Sequence, residues 1–109
     1  MTPARLRPLA ESDLVERTRY HRAEASLDVA QRFFDAAVAT LQRIETMPGI
    51  GSLRLGELCD IPGLRSFRIS GFPCGWFYFE RSDHLDVVRL LSYAQDLPTL
   101  LVEADDDSA

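Results

Sequence analysis

Four consecutive aromatic residues, Trp76-Phe77-Tyr78-Phe79, constrain this chain more than any other feature in it. They lie within Leu64 to Ser92, where three runs rich in aromatic and β-branched residues alternate with turn formers: Gly71 and Pro73, then Ser82 and Asp83. That spacing predicts a three-stranded antiparallel meander. Successive side chains on a strand point to opposite faces. A run that is aromatic at every position is therefore expected at the centre of a sheet covered on both sides. The first run alternates instead, with Phe67 and Ile69 on one face and Ser66, Arg68 and Ser70 on the other. Strict alternation in the third run would put Leu85, Val87, Arg89 and Leu91 on one face, and Asp86, Val88, Leu90 and Ser92 on the other.

Upstream, Ala4-Arg5-Leu6-Arg7 reads as a short strand, and the flanking Pro3 and Pro8 suit an edge position. A helix is expected from Ala10 or Glu11 to about Glu24, with Glu11 and Asp13 in its first turn, where the helix dipole favours acids. Its apolar face is thin, so it should lie on the surface. Ser26 is a good N-cap for a stronger helix. Leu27, Ala30, Phe33, Phe34, Ala37, Val38, Leu41 and Ile44 form its apolar stripe, which ends near Met47-Pro48-Gly49. The two helices should pack as an antiparallel hairpin, with Phe33 and Phe34 pressed onto the sheet. Residues 47–63 form a connection whose Leu53, Leu55, Leu58 and Ile61 tuck under the sheet edge. A closing segment, Tyr93 to Leu101, has room for one helical turn.

The predicted class is α+β, a two-layer β-α-α-β-β-β domain with a helical hairpin packed on one face of a four-stranded, mainly antiparallel sheet. Residues 1–102 make one domain and residues 103–109 an acidic disordered tail. One hairpin covers one face of a sheet that carries aromatic rings on both. The closing segment or a partner protein must cover the other, and a partner is the preferred reading.

Composition narrows the class. No apolar run approaches the roughly 20 residues of a membrane span, and the N-terminal segment lacks the apolar core of a secretory signal. A cytoplasmic chain follows as the expectation, with Cys59 and Cys74 as free thiols; neither a metal site nor a cofactor motif is expected. The net charge is −5, yet Glu103, Asp105, Asp106 and Asp107 supply four of the acids; setting them aside leaves 13 acids against 12 bases. All the basic residues are arginine, which suits carboxylate and phosphate recognition, although GC-rich codon usage accounts for it as well.

The chain resembles the toxins of the RelE/ParE superfamily of type II toxin–antitoxin systems. The resemblance rests on an ordered series: Leu9-Ala10-Glu11-Ser12-Asp13-Leu14, Ala30-Gln31-Arg32-Phe33-Phe34-Asp35-Ala36, Met47-Pro48-Gly49-Ile50-Gly51, Pro62-Gly63-Leu64-Arg65-Ser66-Phe67, Phe72-Pro73-Cys74-Gly75-Trp76-Phe77-Tyr78, Asp86-Val87-Val88-Arg89-Leu90-Leu91 and Ala94-Gln95-Asp96-Leu97-Pro98. It implies that the first strand returns to pair beside the last. It also implies a cognate antitoxin partner and a heteromeric complex, with no membrane and no direct DNA binding by this chain. ParE-like members poison DNA gyrase; RelE-like members cut mRNA on the ribosome. Where the family often reads RVLHGRRD, this chain has Ser92 at the histidine and Gln95 at the arginine before Asp96.

An RNA-cleaving site needs a base, an acid and cations for the phosphate. Arg65, Arg68, Arg89 and Tyr93 are the residues that would carry it. His84 falls in a turn and His21 on a helix face, so neither is a good catalytic candidate. Ribosome binding favours a strongly basic surface, which a near-neutral body does not supply. The preferred reading is a ParE-like inhibitor with no catalytic residues; a ribonuclease and a degenerate, harmless antitoxin binder are the alternatives. Antitoxin contacts are then expected at Arg17, Arg68, Trp76 and Tyr78, and target contacts at Arg89, Tyr93, Gln95 and Asp96. Arg89 is equally open to a buried structural role.

Overall fold

The computed structural model describes residues 1–106. In chain order the elements are β1 (Ala4–Leu6), α1 (Pro8–Glu24), α2 (Leu27–Thr46), a 3-10 turn (Pro48–Ile50), α3 (Arg54–Leu58), β2 (Leu64–Arg68), β3 (Cys74–Glu80), β4 (Leu85–Ser92) and α4 (Leu97–Asp106). The four strands form one mixed sheet in the order β1-β4-β3-β2. β1 runs parallel to β4, and the other two pairings are antiparallel. The expected architecture is present, with β1 beside the last strand.

Helix starts follow local chemistry. α1 begins at Pro8, ahead of the expected Ala10, because a proline in the first turn lacks only an N–H that would have no helical partner anyway. Ser26 caps α2 as expected, its hydroxyl accepting from the Val29 amide at 3.1 Å. Ala10 is the one fully buried residue of α1, so this helix lies on the surface. On α2, Phe33 is fully buried but Phe34 is 41% exposed, which corrects the expectation that both rings meet the sheet. Neighbours on a helix diverge by about 100°, so only one of an adjacent pair can face inward.

The central strand is buried from Cys74 to Phe79. Cys74, Trp76 and Tyr78 face the helical hairpin and join Phe33, Ala37 and Ile44 in one core. The Trp76 indole N–H donates to the Ala37 carbonyl at 3.0 Å. The Tyr78 hydroxyl donates to the Pro48 carbonyl at 2.7 Å and accepts from the Gly51 amide at 3.0 Å. These bonds satisfy the polar end of each ring, which burial otherwise penalises.

Phe77 and Phe79 face the other way, and here the structure overturns the preferred reading. Ile61, Leu97 and Leu101 pack on Leu64, Phe77, Phe79, Val88 and Leu91 to make a second core. The described residues therefore cover both faces of the sheet from within the chain. Two elements do this. α3 folds inside the connection expected to be irregular, and α4 is a ten-residue helix rather than a single turn. It continues into the segment expected to be a tail; residues 107–109 of that segment lie outside the described residues.

Part of each sheet edge is also occupied. Glu45, in the last turn of α2, accepts from the Ala4 amide through its carboxylate at 2.8 Å and from the Thr2 amide through its carbonyl at 2.9 Å. On the opposite edge, Ser52 and Ser66 exchange two backbone hydrogen bonds of 2.9 Å.

Candidate functional site

β1 is short, and it leaves the site-bearing part of β4 without a strand neighbour on its outer side. Its three residues pair with Leu85, Asp86 and Val87. Beyond them β4 runs on to Ser92 with a free outer edge. A β-bulge interrupts the strand here, because Phe77 pairs with Arg89 but Tyr78 pairs with Val87, leaving Val88 as an extra residue. Such an insertion resets the side-chain alternation. Leu85, Val87 and Leu90 consequently share the hairpin core, while Val88 and Leu91 share the second one. This corrects the strict alternation expected for the third run.

The free edge is capped by side chains. At Leu90 the cap is Asp13 of α1, whose carboxylate accepts from the Leu90 amide at 3.0 Å. The same carboxylate holds the Arg89 guanidinium with two bonds, 2.7 Å from Nε and 2.9 Å from Nη2. At Ser92 the cap is Gln95, whose Oε1 accepts from the Ser92 amide at 2.8 Å and from Arg17 Nη2 at 3.4 Å. The Arg17 guanidinium lies over the Tyr20 ring, 5.2 Å from its centroid. An open groove of about 320 Å³ follows this edge, lined by Asp13, Glu16, Arg17, Tyr20, Leu90 and Gln95. A second hollow of about 140 Å³ shares Arg17 and Tyr20 and reaches His21, Cys74 and Ser92. His21 packs against Phe33 and Phe72, with ring centroids 4.7 and 5.2 Å away. Burial, and then the charge of Arg17, pull its imidazole below the ordinary value.

The four residues a ribonuclease would use are not gathered. Arg65 is tied to the 47–53 connection, donating to the Gly51 carbonyl at 2.8 Å. Arg89 is committed to Asp13. Tyr93 rests over Gly75, where a β-carbon would collide with its hydroxyl, and that hydroxyl is 3.3 Å from Ser66 Oγ. Burial pushes the Tyr93 phenol up, so it is a poor source of phenolate. Arg68 is exposed at the end of β2, and its charge acts on both Tyr93 and Cys74. Of the four, Arg68 is the one whose charge acts on Tyr93.

The expected binding residues divide in the same way. Trp76 and Tyr78 are completely buried beneath the hairpin, so they serve the core rather than an antitoxin surface. Arg68 is exposed, and Arg17 is half-buried against Tyr20 and Gln95. Of the target set, Arg89 and Tyr93 make internal contacts, and Asp96 accepts from the Thr99 hydroxyl at 2.9 Å in the first turn of α4. Gln95 is exposed on the groove. Both cysteines are free thiols, and among the described residues no group of histidine, cysteine and acidic side chains could hold a metal. Among the described residues no helix is long and apolar enough to cross a membrane.

A second groove was not expected. It lies between the helices on the outer side of the hairpin, about 280 Å³, with Leu27, Ala30 and Phe34 as its apolar floor and Thr18, Arg19 and Arg22 along its wall. Leu27 is 66% exposed. The adjacency of Phe33 and Phe34 was the available signal, because one of the two had to face away from the core.

The family model described as the ParE toxin of type II toxin–antitoxin system, parDE, matches residues 4–97. Among solved structures, the chain is similar to one titled "Chromosomal ParDE TA system from P. aeruginosa", with a TM-score of 0.72 and 14% identity over 84% of this chain and 96% of that one. No curated protein matches it.

Proposed function

Because the chain belongs to the ParE toxin family of type II toxin–antitoxin systems, we propose that it inhibits DNA gyrase when free and is neutralised by a cognate antitoxin. The observation that carries the choice of an inhibitor over a nuclease is the dispersal of the cleavage candidates. Arg65 and Arg89 spend their guanidinium groups on Gly51 and Asp13, which leaves the exposed Arg68 and a Tyr93 phenol whose pKa burial raises. That pair supplies one cation and no base poised near neutral pH. The chain acts in the cytoplasm, where gyrase and DNA are found.

The apolar part of the antitoxin surface on this reading is the outer groove of the hairpin. Both sheet faces and part of each sheet edge are filled from within, whereas Leu27 and Phe34 stay exposed. Arg19 and Arg22 flank them, so an amphipathic antitoxin helix with acidic residues beside its apolar stripe fits this groove.

The test is a plasmid supercoiling assay with purified gyrase and the free chain, run beside an mRNA cleavage assay on purified ribosomes. Inhibited supercoiling, restored by the antitoxin, supports the proposal. Unchanged supercoiling with mRNA cut on the ribosome would establish the nuclease reading instead. Normal growth on induced expression of the chain without its antitoxin, with the purified chain still binding the antitoxin, would identify a harmless member.

A further inference from the structure

The free edge of β4 contains the same donor arrangement twice. At Leu90 a backbone amide and an arginine, Arg89, converge on a carboxylate supplied by Asp13. Two residues on, the Ser92 amide and a second arginine, Arg17, converge on one oxygen again. Here the acceptor is a neutral amide, Gln95 Oε1. The first site is a built carboxylate site, with both donors at short range. The second has the donors of a carboxylate site and the wrong acceptor.

The acceptors also differ in how firmly they are held. The Asp13 and Arg89 side chains are 16% and 10% exposed. Gln95 is exposed, and its contact with Arg17 is long at 3.4 Å. Water can replace the Gln95 amide at little cost. Arg17, in contrast, is positioned without it, by its place over Tyr20. Of the acids beside the groove, Asp13 is held by Arg89, and Glu16 points to solvent in an exposed pair with Arg19 at 3.2 Å, where its charge is screened.

We infer that the Ser92 amide and Arg17 form a carboxylate subsite for an aspartate or glutamate side chain of the antitoxin, and that Gln95 is its resident placeholder. This rests on the antitoxin reading above for the source of the carboxylate, but not for the chemistry of the subsite. A carboxylate oxygen gains two charge-assisted hydrogen bonds where the amide makes two weaker ones. The groove along the strand edge admits the extended segment that would carry it. Gln95 thereby sets a threshold, since the partner's acid has to displace it.

Sodium acetate is the probe for the subsite itself. The Ser92 backbone amide resonance of the isotope-labelled chain is followed as acetate is added, with sodium chloride at equal ionic strength as the control. A saturable shift in acetate alone is expected. Its midpoint should fall several-fold in Gln95→Ala, and the shift should vanish in Arg17→Ala. An equal response to chloride, or a response retained in Arg17→Ala, would overturn the subsite. The spectra report at the same time that each variant is folded. Antitoxin affinity is measured on the same proteins. Tighter binding by Gln95→Ala with weaker binding by Arg17→Ala is expected, and no change in either would overturn the assignment of the partner's carboxylate. An antitoxin that binds no variant and not the parent chain removes the antitoxin reading and with it this occupant, while the acetate result still decides the subsite.

Discussion

Asp13 and Arg89 lie 76 residues apart in the chain, yet one carboxylate joins them by two hydrogen bonds and at the same time caps the Leu90 amide. The acid expected to do no more than favour the dipole of α1 is thus the link between that helix and the free edge of β4. Replacing Arg89 by methionine leaves the Asp13 charge largely shielded from water with one donor instead of three. A loss of about 3 kcal/mol is expected, as for other largely buried pairs broken on one side. Asp13→Asn keeps an acceptor for Leu90 and should cost less. Urea unfolding midpoints measure both. Equal, negligible losses would mean that the pair does not hold the helix to the strand.

Tyr78 fastens the connection after α2 to the centre of the sheet through Pro48 and Gly51. Tyr78→Phe strands a buried amide and a carbonyl, at a cost of about 2 kcal/mol. Gly51 has no room for a side chain, since a β-carbon there would lie 2.6 Å from the Tyr78 hydroxyl oxygen and 2.9 Å from the ring. Gly51→Ala should therefore destabilise the parent more than it destabilises Tyr78→Phe, where the nearer atom is gone. Thermal unfolding of the single and double variants gives the coupling directly, and simple additivity would contradict the contact.

These two cases mark what the sequence makes legible. Trp76 to Phe79 could only be a doubly covered strand, because a period of two with rings at every position allows nothing else. The Ser26 cap and the stripe on α2 are local patterns with local causes. The bulge at Val88 leaves no such trace: Val87, Val88, Leu90 and Leu91 are apolar for two faces at once, so no alternation survives to be read. The pairing of Asp13 with Arg89 is non-local and has no periodicity at all. α4 was hidden differently. Leu97, Leu100 and Leu101 have helical spacing behind the Asp96 cap, but the acids that follow gave the segment the composition of a solvated tail. That is why the second face was assigned to a partner when its own chain covers it.

Stability should fall in two separate steps as the pH drops. His21 is the first. Its folded-state pKa is depressed by burial and by Arg17. Below the ordinary imidazole value of about 6.5, the unfolded chain takes up the proton more readily than the folded one, so stability declines from there down to the lowered value. Asp86 is the second. Its hydrogen bond to Arg7, at 2.8 Å to Nη2, holds its carboxyl below the usual range against the opposing effect of burial. The stability it contributes is complete above the unfolded carboxyl value of about 3.9 and is lost as the pH falls through the folded one. His21→Phe should flatten the upper step alone and Asp86→Asn the lower step alone in unfolding free energies measured from pH 8 to 3. A profile unaffected by either substitution would contradict both assignments.

The second core and the outer hairpin groove should respond in opposite ways to mutation. Leu101 is 1% exposed in the second core, and Leu101→Ala is expected to cost about 3 kcal/mol of stability. Phe34 and Leu27 are 41% and 66% exposed on the outer hairpin groove. Serine at Leu27 removes little buried area, so the melting temperature should hardly move, whereas Phe34, more than half covered, should show a modest drop smaller than that of Leu101→Ala. If the antitoxin seats an apolar stripe there, the same substitutions weaken its binding by about tenfold each, the scale of a central interface residue. Calorimetric titration with the antitoxin, alongside melting curves, separates the two surfaces. Undiminished affinity in Phe34→Ser and Leu27→Ser would take the antitoxin off this groove, whatever the Leu101 variant does.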